Sequence, residues 1–144
     1  MARVINTDGT GKRRNQMMRT TAEILRRLTQ KTDIDDDVKD MVATLVYCFR
    51  EIDAGIEQAT LAWEKRDYWI KVEEFRQRWA WVGLMESRLK EMIDQNSWEQ
   101  LPDLMVKLMP YVSDIKVAKF TRNESLWRGN YARLLAGKPP SALS

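Results

Sequence analysis

The residues in this chain best suited to chemistry are carboxylates. Glu64-Lys-Arg-Asp67 and Glu91-Met-Ile-Asp94 each set two acids three residues apart, which on a helix puts both on one face. Convergent oxygens of this kind, completed by substrate phosphates, are what a magnesium ion takes. A helical magnesium centre needs a Glu-x-x-Glu pair opposite, and the chain has none; Glu74 is followed at that spacing by Gln77. An acidic run, Asp33-Ile-Asp-Asp-Asp37 with Asp40 beyond, has the composition of a calcium loop. Such a loop starting at Asp33 requires Gly at 38 and Glu at 44, where Val38 and Thr44 stand. Gly9-Thr-Gly-Lys12 resembles a phosphate-binding loop, but Asn6 replaces the first glycine and Arg13 the hydroxyl residue after the lysine.

The chain contains no histidine and one cysteine, Cys48. Ser-His-Asp and Cys-His catalysis are therefore excluded, and so are His-carboxylate di-iron sites. A Cys/His zinc site lacks its ligands. The sequence implies no cofactor and weighs against an enzyme. A carboxylate-magnesium all-α nucleotide pyrophosphohydrolase stands only as a remote alternative.

Two residue sets remain that could bind a partner. Lys12, Arg13, Arg14, Arg19, Arg26, Arg27 and Lys31 follow one another near the N-terminus, and Arg122, Arg128 and Arg133 repeat the theme near the C-terminus. Such residues could neutralise phosphates. The charge is segregated: eight Lys/Arg face two Asp/Glu over residues 1–31, nine face seventeen over 32–106, and seven face two over 107–144. Basic ends either meet an acidic partner or fold onto the acidic middle. The second set is aromatic. Of six tryptophans, Trp63, Trp79, Trp98 and Trp127 fall on expected core faces. Trp69 and Trp81 fall to either side of a seam, with Arg76 and Arg78 beside them, and either pack under another helix or form a partner-binding surface.

The elements that position these sets follow from periodicity. Met17, Thr21, Ile24, Leu25 and Leu28 share one side of a helix over Lys12–Lys31, with basic residues on the other. Asp33–Asp37 caps a second helix, whose apolar residues Val38, Val42, Leu45, Phe49, Ile52, Ile56, Ala59 and Trp63 alternate steps of four and three. After a polar break at Glu64–Asp67 the same rhythm returns in Tyr68, Val72, Phe75, Trp79, Val82, Glu86, Leu89 and Ile93. Two seams of equal length predict a long antiparallel hairpin over about 35–95, with Gly55 making room for Phe75 and Trp79. Glu86 is a carboxylate on the seam, where burial without a partner is costly. It is either a site residue of the bundle interior or, as expected here, paired with an arginine of the first helix or swung to the rim.

Ser97-Trp-Glu-Gln100 has capping-box form and should open a fourth helix that Pro110 ends or bends. Asn123 should cap a fifth, stopped by Gly137 and Pro139-Pro140. The prediction is a single all-α domain spanning residues 1–144, a four- or five-helix bundle on that hairpin, with 1–11 and 138–144 loop-like. Cys48 alone and no apolar signal core imply a cytoplasmic protein without a membrane span. The expected function is a non-catalytic helical interaction or scaffolding protein that binds a protein or a second copy of itself. The alternative is nucleic-acid binding through the basic helix 12–31.

Overall fold

The computed structural model describes residues 7–143 of the chain. They form an all-helical bundle of α1 (Thr7–Thr29), α2 (Asp36–Glu64), α3 (Trp69–Asp94), a 3-10 turn (Trp98–Gln100), α4 (Leu101–Val112) and α5 (Asn130–Leu135). No described residue lies in a strand. No described helix is long and apolar enough to cross a membrane.

Helix α2 is the axis, with α1, α3 and α5 all packed on it. Its start is capped as the sequence implies, the Asp35 carboxylate accepting the Val38 N–H at 2.8 Å. From Met41 to Phe49 every residue is buried, so this segment is apolar all round and surrounded by neighbours. Burial of each large side chain there contributes roughly 1.5–3 kcal/mol. The core cluster ends at Ile56 on α2 and Val82 on α3, with Phe75 and Trp79 at its margin. Beyond them the α2–α3 hairpin continues as a thinner arm.

The arm turns without glycine or proline. Asp67 takes a left-handed conformation (φ 60°), and the Tyr68 N–H reaches back to the Trp63 carbonyl at 3.0 Å while the Asp67 N–H reaches Glu64. This is a Schellman stop, in which a left-handed residue lets the last carbonyls be satisfied. The same device ends α3, with Asn96 at φ 55° and the Ser97 N–H on the Met92 carbonyl.

Several expectations are corrected. Helix α1 begins at Thr7, so residues 7–11 are helical rather than loop; residues 1–6 lie outside the described residues. Gly55 faces α1, not Phe75 and Trp79: a side chain there would meet Thr10 at 3.9 Å. Ser97 makes no capping bond, and the 3-10 turn precedes α4. Pro110 lies inside α4, which runs two residues past it. Asn123 caps a turn through the Ser125 N–H, and the fifth helix is only the six residues from Asn130. The C-terminal segment is irregular but tied down. Its Lys138 carbonyl accepts the Tyr47 hydroxyl at 2.6 Å, Ser141 bonds the Leu126 carbonyl, and Leu143 is buried.

Candidate functional site

The long connection between α4 and α5 lies against α1, and the basic residues of α1 hold it there. At the centre is Glu23, fully buried. Its carboxylate accepts the Arg19 Nε–H at 2.8 Å, the Thr121 N–H at 2.7 Å, the Thr121 hydroxyl at 2.6 Å and the Arg122 N–H at 2.9 Å. Burial alone would raise its pKa, but the bonds from Arg19, Thr121 and Arg122 outweigh it and hold the group at about 2. Arg19 also donates to the Lys116 and Lys119 carbonyls, and Arg27 to that of Arg122. The Arg27 guanidinium lies over the Phe120 and Trp127 rings, 4.1 and 5.1 Å from their centroids. Arg122 returns to α1 through Thr20.

The rest of the basic helix is engaged in the same manner. Arg13 forks onto Glu51 of α2, and Arg14 lies over Phe75 and Trp79, where burial lowers its pKa. Lys31 pairs with Asp35 and Asp37. Lys12 and Arg26 are exposed. The basic residues of α1 are thus largely an internal fastening: Arg19 and Arg27 join the two basic ends to each other, and Arg13 and Lys31 join the first of them to the acidic middle.

The two unplaced tryptophans separate. Trp81 packs under α4, stacked on Tyr111 with centroids 4.1 Å and planes 9° apart, and meets Phe49 edge-on at 5.7 Å. Trp69 stays in water, 57 % exposed. Arg76 is bound to Glu64 at 2.7 Å, across the hairpin, and Arg78 is exposed. The four residues do not form one surface. Trp69 belongs instead with Ile70, 79 % exposed, and with Tyr68 and Leu61, each about half exposed. All four sit where α2 ends and α3 begins, flanked by Lys65, Arg66 and Lys71. Ile70 was missed by sequence reasoning, although one signal was present. Three large apolar residues in succession at a helix start cannot all face a heptad seam.

A second apolar surface lies at the opposite end of α2. Leu28, Ile34, Leu101, Met105, Val106 and Met109 line a cleft of about 270 Å³ between the α1–α2 turn and α4. Met109 and Thr29 connect it with a further cleft of about 430 Å³ along α1, floored by Leu25, Val112 and Ile115. Val106 is 62 % exposed. From the α1–α2 turn, Lys31 and Asp33 also line the first cleft.

The remaining chemical candidates are dispersed. Among the described residues no three Asp, Glu, His or Cys side chains converge as a metal site. Glu86 is paired with Arg50 of α2 at 3.5 Å, rather than with an arginine of the first helix. Cys48 is fully buried, and burial pushes its thiol up to about 12, which removes its nucleophilic form at neutral pH. Comparison of the chain with protein-family models, with curated proteins and with solved structures finds no match.

Proposed function

We propose that this is a non-catalytic helical interaction protein of a reducing, cytoplasmic compartment, working through the end of the α2–α3 arm. One observation carries the reading. Trp69 and Ile70 stand in water, with Tyr68 and Leu61, at the outermost point of an arm lying beyond the main core. A cluster of large apolar groups rimmed by charge is the usual form of a docking surface, and Trp is prominent among residues that dominate binding energy. Engagement of Arg13, Arg14, Arg19, Arg27 and Lys31 within the fold favours this reading over nucleic-acid binding. The Arg76 ion pair at Glu64 likewise favours it over magnesium chemistry at Glu64 and Asp67.

The test is the elution position of the protein in native extracts. The 17.0 kDa chain is expected in a larger assembly, which Ile70→Glu converts to the monomer while far-ultraviolet circular dichroism stays unchanged. Elution that does not respond to Ile70→Glu in a folded protein overturns the proposal.

A further inference from the structure

At the base of the arm, two arginines from α1 and α3 stand together without an acid. The Arg14 guanidinium lies over Phe75 and Trp79, 5.0 and 5.2 Å from the ring centroids. Phe75, Arg78 and Trp79 share one side of α3 by their spacing of three and four, so Arg78 stands beside the same rings. Burial, and then the charge of Arg78, lower the Arg14 pKa. Among the described residues neither arginine has a carboxylate partner. Stacking uses the face of a guanidinium and leaves its N–H groups, which lie in the plane, for other partners. No nitrogen of Arg14 is sealed from solvent, and Arg14 lines a cavity of about 400 Å³ between α1 and α2.

We infer that Arg14 and Arg78 bind a phosphate group at this cavity, free or carried by a small organic molecule. Two adjacent positive charges match a dianion. A planar fork held between two rings loses little freedom on binding and can grip two oxygens at once. The cavity has the size of a small-molecule site. Its remaining lining suits an organic phosphate, with Met17 and Ile52 as a buried apolar floor and the Gln58 amide exposed beside them. Glu51, the one acid among its described lining residues, is already forked by Arg13, so that pair adds no net charge. The inference is independent of the arm end, since Trp69 and Ile70 take no part in it.

Calorimetric titration of the full chain with inorganic phosphate and with phenyl phosphate, at low salt, tests it. Binding with a dissociation constant below about 1 mM is expected. Arg14→Lys keeps the charge and loses the fork, and should weaken binding by about tenfold or more. Arg78→Gln should weaken it by about three- to fivefold. Arg26→Gln, exposed at the far end of α1, should leave it unchanged. Tighter binding of phenyl phosphate identifies a small organic phosphate as the ligand, and equal binding identifies free phosphate. Should Arg14→Lys fail to fold, Arg78→Gln carries the test, because its side chain is exposed. No binding of either probe by about 10 mM would overturn the inference. So would an affinity within two-fold of wild type in either folded variant, or an equal loss in Arg26→Gln.

Discussion

The carboxylate of Glu23 in α1 accepts the backbone N–H of Arg122 at 2.9 Å, joining residues ninety-nine apart in the chain. With the Thr121 N–H, its hydroxyl and Arg19 on the same group, it fixes a connection that has no helix of its own. Glu23→Gln leaves Arg19 without its counter-charge and should destabilise the fold by about 2–4 kcal/mol at pH 7. The pKa of Glu23 is depressed from 4.5 to about 2, so its contribution is complete above pH 4.5 and lost as pH falls towards 2. That contribution is about 3 kcal/mol. Urea unfolding of wild type and Glu23→Gln should differ at pH 7 and converge near pH 2. A difference that persists undiminished at pH 2 would contradict the assignment.

Trp81 and Trp69 should behave oppositely. Trp81→Ala removes a ring stacked on Tyr111 and touching Phe49, and should cost about 2–3 kcal/mol. Trp69→Ala should change stability by no more than about 0.5 kcal/mol, as surface substitutions do. Equal losses in thermal or chemical denaturation would mean that Trp69 is also core.

Gly55 is a helix-interior glycine with space for a methyl group, since among the described residues the only neighbour within reach is the Thr10 Cβ at 3.9 Å. Gly55→Ala should therefore stabilise by about 0.5–1 kcal/mol. A drop in the urea midpoint would show that α1 and α2 approach more closely than this.

Nucleic acid should bind poorly. Anisotropy titrations with labelled single- and double-stranded DNA and RNA at about 50 and 200 mM salt span the range where phosphate contacts weaken most. Little binding is expected at the higher salt, because most arginines of α1 already donate within the fold. Micromolar affinity at 200 mM that disappears on changing Lys12 and Arg26 would restore the alternative.

The hairpin was legible because its signal is local. Asp35 caps α2, and the four-three spacing from Val38 to Ile56 marks residues that are buried without exception. The role of the basic residues was not legible. Arg19 and Arg27 read as candidate phosphate contacts because their acceptors, the carbonyls of Lys116, Lys119 and Arg122, belong to a segment whose course no periodicity encodes. Backbone acceptors carry no residue signature. The fifth helix was overdrawn for a related reason: Gly129, at φ 83°, breaks the path between Leu126 and Tyr131. Trp69 was identified as a candidate, but Trp81 was grouped with it because both leave the seam. Only the position of α4 separates them.

The most direct measurement is site-specific photo-crosslinking in living cells, with the reactive residue at position 70 and a control at exposed Arg88. A discrete protein adduct is expected from position 70, absent from position 88 and lost when Trp69→Ala is added. An adduct of twice the chain mass identifies a second copy, and one of any other mass identifies a different protein. No discrete adduct from position 70, or the same adducts from both positions, would contradict the assignment of the arm end as the working surface.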